Sequence, residues 1–136
     1  MIAFTSLTVG DVVAEQTFHL TRDSLVRYAG ASGDFNSIHY RDDIAASVGL
    51  PGVLAHGMLT MGVAVQTVVN WIGDPGRVQD YQVRFTRVDP TNGADVTVGA
   101  KVAALEEDGQ VARIDLTATY EEQTVLGKAQ VRVLFA

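Results

Sequence analysis

Residues 56–72 constrain this chain more than any other segment, because their pattern is helical yet apolar nearly all round. They run Gly57-Met58-Leu59-Thr60-Met61-Gly62-Val63-Ala64-Val65-Gln66-Thr67-Val68-Val69-Asn70-Trp71-Ile72 behind His56, with Gly73 and Pro75 as the stop. A helix without a wet face persists in water only where other structure encloses it on most sides. Its β-branched valines weaken intrinsic helix preference, so burial has to hold it together.

The enclosing structure is readable downstream. Tyr81, Val83 and Phe85 alternate with Gln82, Arg84 and Thr86, and Val96, Val98, Ala100 and Val102 follow. Ile114, Leu116, Ala118 and Tyr120 alternate with polar neighbours, as do Val125, Gly127, Ala129, Val131, Val133 and Phe135. A period of two marks strands with one wet face. Residues 106–110, with Gly109, and residues 121–123 read as hairpin turns. Upstream, residues 12–19 read as a short first strand, and Thr21 caps a helix that Gly30 ends. Residues 31–39 read as an irregular loop, and Asp42-Asp43 open a short helix stopped by Gly49-Leu50-Pro51. One buried helix followed by an antiparallel meander predicts an α+β fold, a sheet wrapped around a helix, which is the hot-dog architecture.

The 136 residues suit one domain, expected to span residues 1–136. A net charge of -6 disfavours nucleic-acid binding, since an acidic surface repels phosphate backbone. Cysteine is absent, which excludes a disulfide framework, a thiolate nucleophile and a cysteine-ligated metal. The first ten residues lack the basic flank and apolar core of a signal peptide, and no run has the length of a charge-free membrane span. A cytoplasmic protein with no membrane partner is the expectation.

Chemistry concentrates in two places. Asp34 and His39 stand five residues apart in Gly33-Asp34-Phe35-Asn36-Ser37-Ile38-His39. A turn through Asn36-Ser37 would bring both side chains to one point, where a carboxylate and an imidazole can share a water as general acid and base. Spacing alone leaves a plainer reading open, in which Asp34 caps a turn and His39 is a satisfied loop histidine. The second place is His56-Gly57-Met58-Leu59, at the mouth of the apolar helix. There Gly57 would offer an unpaired backbone N–H at the positive end of the helix dipole. Gly57 as mere close packing and His56 as mere helix cap are the alternatives. The histidines at 19, 39 and 56 show no metal-ligand spacing.

The stretch Tyr28…Ser32-Gly33-Asp34-Phe35-Asn36-Ser37-Ile38-His39…Ala45, joined to Ala55-His56-Gly57-Met58-Leu59, resembles the signature of the MaoC-like, (R)-specific enoyl-thioester hydratases and dehydratases. A narrower likeness, to the catalytic subunits of mycobacterial-type (3R)-hydroxyacyl-carrier-protein dehydratases, shows in Leu59-Thr60-Met61-Gly62, Trp71-Ile72-Gly73-Asp74-Pro75-Gly76 and Val83-Arg84-Phe85-Thr86. The resemblance implies a catalytic pair at Asp34 and His39, a backbone oxyanion donor at Gly57, and supporting roles for Asn36 and His56. It implies reversible hydration of a trans-2-enoyl thioester of coenzyme A or acyl-carrier protein, with no metal or redox cofactor. It also implies a homodimer, or a heterodimer with a related hot-dog subunit. One departure is Ser37, where the family usually has a proline that would stiffen the turn. A hot-dog thioesterase would want a carboxylate at or in the buried helix, and residues 57–72 contain none. A non-catalytic acyl-binding subunit could lack the Asp-His pair, which this chain has.

Overall fold

The computed structural model describes residues 2–86 and 93–136. Along the chain come β1 (Val12–Leu20), α1 (Arg22–Ser32), α2 (Asp42–Ser47), α3 (Gly57–Ile72), β2 (Val78–Phe85), β3 (Ala94–Glu106), β4 (Val111–Tyr120) and β5 (Gln123–Leu134). The five strands form one sheet in the order β1-β3-β4-β5-β2, every neighbouring pair antiparallel. This is the expected hot-dog arrangement with one difference. Only β3, β4 and β5 form a meander, because β2 crosses to the far edge and pairs with β5 instead of β3.

Helix α3 lies against the sheet and completes its core. Ala64, Val68 and Ile72 pack with Val96, Val98, Ala100 and Val102 of β3, Ile114 and Leu116 of β4, and Val131 and Val133 of β5. The enclosure is not complete. Met58, Gly62, Gln66 and Asn70, four residues apart in succession, form an exposed stripe along α3. Residues Tyr81 and Met61 tie β2 to the helix, the phenol donating to the Met61 carbonyl at 3.0 Å. Burial pushes that phenol well above its ordinary ionisation range, so it remains a neutral donor.

Two local expectations are corrected. Gly30 does not end α1, which continues through Ala31 and Ser32 to a cap at Gly33. Gly33 is left-handed, with φ 77°, and its N–H bonds to the Ala29 carbonyl, so it is the glycine that supplies the stop. At the start, Thr21 and Ser24 form a reciprocal capping box. The second correction concerns β5, where the alternation breaks. Leu126 is buried beside Val125, and Gly127 is not a core position, because an extra residue bulges out of β5 there.

Gly33 fixes where the chain leaves α1 and therefore where Asp34 starts. A Cβ on Gly33 would meet nothing within 4 Å, so Gly33→Ala tests backbone conformation alone. The expected outcome is a loss of about 1 kcal/mol in urea unfolding, the cost of a left-handed residue with a side chain. An unchanged midpoint would mean that the cap contributes nothing.

Candidate active site

The site is built on the turn that follows α1. Ser32 Oγ donates to the Tyr28 carbonyl at 2.7 Å and accepts from the Asp34 N–H at 3.1 Å. Asp34 Oδ1 then accepts from the Asn36 N–H, and Asn36 Oδ1 from the Ile38 N–H, each at 3.2 Å. These side-chain to backbone bonds wind the chain into a 3-10 turn over Ser37–His39. They pin the turn without a proline at position 37. Asn36 is spent on this work, since its oxygen serves the Ile38 N–H.

The turn brings the two reactive side chains together. His39 Nε2 lies 3.8 Å from Asp34 Oδ2. That separation is too long for a direct hydrogen bond, and a water bonded to both groups fits it. His39 is oriented from behind, where its Nδ1 lies 2.7 Å from the Leu54 carbonyl. A carbonyl only accepts, so Nδ1 carries the hydrogen and Nε2 presents its lone pair toward Asp34. The Leu54 N–H returns a bond to the Ile38 carbonyl at 3.1 Å, which fixes the distance between the two strands of chain. The imidazole is buried while the Asp34 carboxylate is half exposed.

His56 completes the cluster. Its ring stacks on His39 with centroids 3.7 Å apart and planes 20° apart, and the Tyr28 ring meets it edge-on at 4.8 Å. Its Nε2 donates to the Asp34 carbonyl at 3.2 Å, and its side chain caps no N–H of α3. The cap reading for His56 is therefore not what the structure contains. Only 1% of His56 is exposed, and its Nδ1 is buried without a hydrogen-bond partner among the described residues. Burial pushes the His56 imidazole below its ordinary value; the Asp34 carbonyl opposes that shift, and the neighbouring His39 adds to it.

Asp34, His39 and His56 each offer an atom within 4.8 Å of the others, a proximity that sequence spacing does not reveal. The donor set does not fit a metal ion well. Stacked rings hold their nitrogen lone pairs in nearly parallel planes, with centroids 3.7 Å apart, whereas zinc needs them to converge on one point at about 2.0 Å. The His56 nitrogen that faces Asp34 is also committed as a donor.

Gly57 begins α3, so its N–H has no acceptor within the helix. The Phe85 ring lies against it, and a Cβ on Gly57 would sit 2.9 Å from Phe85 Cγ. The structure shows close packing of Gly57 against Phe85 and places its N–H in the first turn of α3. From here an open groove of 280 Å³ runs beside α3, lined by Phe18, Tyr28, Met58, Leu59, Gly62, Val63 and Gln66. The sequence gives no sign of the Leu54 carbonyl, because backbone does the work there. Tyr28 lies within the recognised stretch, but nothing marks it as the wall of His56, and Phe85 reads only as one apolar strand residue.

Comparison with known proteins places the fold and the chain among established relatives. Residues 4–125 match the MaoC like domain family. The chain is 30% identical to a 3-hydroxybutyryl-CoA dehydratase of Methylorubrum extorquens over 84% of its own length and 73% of that protein's. Among solved structures it superposes on a MaoC-like dehydratase with TM-score 0.95 and 37% identity, covering 98% of this chain and 42% of that one. An R-hydratase from Pseudomonas aeruginosa superposes with TM-score 0.82 and 25% identity, covering 98% of this chain and 84% of that one.

The buried, neutral His56 gives the fold a pH dependence. Unfolded, it titrates at its ordinary 6.5; folded, it titrates lower, so the unfolded state binds more protons below that value. Its contribution is therefore complete above pH 6.5 and is lost as pH falls from there toward the depressed folded value. The lowered carboxyl groups of Asp42, Asp43 and Glu106 act only at more acidic pH. The melting temperature should fall between about pH 7.5 and 5.5, and His56→Gln should flatten that slope. An equal slope in both proteins would show that His56 is not held neutral.

Proposed function

This chain belongs to the MaoC-like domain family, and from that premise we propose that it reversibly hydrates trans-2-enoyl thioesters to (R)-3-hydroxyacyl thioesters. The observation that carries the reading is the 3.8 Å gap between His39 Nε2 and Asp34 Oδ2, beside the free N-terminus of α3. Residues 1–136 act as one cytoplasmic domain in this reading, and the structure contains no helix among its described residues long and apolar enough to cross a membrane.

Water sits between the pair. His39 Nε2 takes one of its protons as the oxygen bonds to the β-carbon, while Asp34 accepts a hydrogen bond from the second O–H, which stays on the oxygen as the product hydroxyl, and faces the new imidazolium. The π electrons move to the thioester oxygen, where the Gly57 N–H donates. As the carbonyl re-forms, the α-carbon takes a proton from the pair, which returns to its starting charge. Dehydration follows the same path backward. The apolar groove beside α3 suits the acyl chain. His56 serves as a neutral plate that holds the plane of His39 and the backbone of Asp34.

Asp34→Asn and His39→Ala should each lower kcat for crotonyl-CoA hydration by about 100-fold or more while circular dichroism stays unchanged. Chiral analysis of the wild-type product should give the (R) alcohol. Near wild-type turnover in either folded variant would refute the mechanism, and a mainly (S) product would refute the stereochemistry.

The sheet ends in two edge strands, β1 and β2, whose outer N–H and C=O groups invite pairing with another hot dog. We propose a dimer, formed with an identical chain or with a related hot-dog subunit; the likeness to mycobacterial-type catalytic subunits favours the latter as the natural state. Purified alone, the chain should scatter light as a dimer at micromolar concentration. A monomer under those conditions would count against edge pairing.

A further inference from the structure

The histidine cluster does not account for a second hollow, of 470 Å³, lined by Gln82, Val83, Arg84, Lys128 and Gln130. Tyr81 and Phe85 of β2 reach toward α3, so Gln82 and Arg84 point to the opposite side of the sheet. Gln82 Nε2 donates to Gln130 Oε1 at 2.7 Å, which sets the two amides side by side. The hollow lies at the β5 bulge. Gln82 and Arg84 pair with Gln130 and Gly127, and Leu116 and Ala118 pair with Ala129 and Leu126, so β5 carries one extra residue against both neighbours.

Lys128 occupies that bulge with φ 48°, a left-handed conformation that glycine adopts freely and lysine does not. A bulge re-aims the side chain it carries, and here it brings Lys128 into the same hollow as Arg84. Neither residue takes part in an ion pair among the described residues, whereas Arg22, Arg41, Arg113 and Arg132 each hold a carboxylate. No Asp or Glu lines the hollow. On a chain of net charge -6, two unpaired cations beside two amides make a local positive site in an acidic surround.

We propose that Arg84 and Lys128 form an anion subsite that binds a phosphate on the handle of the thioester substrate. The assignment rests on the thioester reading above. Arg84 is followed by Phe85, the last residue of β2, whose ring lies against Gly57 at the mouth of α3. A pantetheine arm passing round the end of β2 therefore joins a thioester at the helix mouth to a phosphate in the hollow. Coenzyme A and the prosthetic group of a carrier protein both carry such a phosphate.

The test compares kcat/KM for crotonyl-CoA, crotonyl-phosphopantetheine and phosphate-free crotonyl-pantetheine. Wild type should prefer the phosphorylated thioesters, and the double variant Arg84→Gln, Lys128→Gly should lower that preference about tenfold. Glycine suits the backbone at 128, so this variant removes the charge without straining the bulge. Lys101→Gln, which removes a cation elsewhere, should leave the preference intact. Loss with both phosphorylated substrates assigns the pantetheine phosphate, and loss with crotonyl-CoA alone assigns the nucleotide phosphates. Hydration with an unchanged preference would overturn the subsite and leave the proposed function standing. If no thioester is hydrated, the function fails, and calorimetric titration with adenosine 3′,5′-bisphosphate decides the subsite: binding that weakens in the double variant supports it, and equal binding or none overturns it.

Discussion

Everything in this molecule follows from the need to bury α3. Its core-facing residues, Ala64, Val68 and Ile72, pack on the same valines and alanines that give β3, β4 and β5 their alternation. Burial of that apolar surface supplies the driving force, at roughly 25 cal/mol per Å², and a helix so rich in valine has little propensity to fall back on. Packing a helix lengthwise on a sheet leaves the helix ends outside the layer of contact. The N-terminal end is the one that chemistry can use, because its N–H groups are unpaired and its dipole is positive. The turn after α1 delivers Asp34 and His39 to that end, and His56 joins them because it is the residue just before α3.

Bringing two imidazoles into a buried stack creates a problem of its own. Two positive rings 3.7 Å apart would repel each other where solvent screens poorly, and burial favours the neutral form of His56. The main chain decides which nitrogen of each ring carries the hydrogen by offering carbonyls. Leu54 takes the hydrogen of His39 Nδ1, and Asp34 takes that of His56 Nε2. Each carbonyl thereby selects a tautomer, and the one it selects for His39 leaves a lone pair facing Asp34. The reactive geometry is thus set by backbone groups that no substitution removes directly. The orphaned Nδ1 of His56 is the residual cost of the stack.

Much of this was legible in the residues. The helix and the five strands follow from periodicity and turn chemistry, because those features depend on neighbours in sequence, whereas the pairing of Asp34 with His39 rests on the family resemblance and not on spacing alone. What was not legible depends on neighbours in space. Gly30 and Gly33 are equally good stops on paper, and only the Gly33 bond to Ala29 decides between them. The crossing of β2 to the β5 edge cannot be read from its alternation, which would serve either edge. The β5 bulge hides because Gly127 and Lys128 continue an apparently regular pattern. The Leu54 carbonyl is invisible for a simpler reason, since every residue has one.

The exposed stripe of α3 marks where the physics of folding and of function diverge. A chain selected for stability alone would cover Met58, Gly62, Gln66 and Asn70 with further structure, since Met58 is 57% exposed beside an apolar groove. The stripe is instead partly polar, with Gln66 bonded to Asn70 and Asn70 to Gln16 of β1, so water is tolerated at its far end. Toward the histidines it turns apolar, through Gly62, Leu59 and Met58, where Tyr28 and Phe18 form the opposite wall. The gradient along one helix face leaves its open apolar surface next to the histidines, so the helix that organises the core also supplies the apolar wall beside the Asp34–His39 pair.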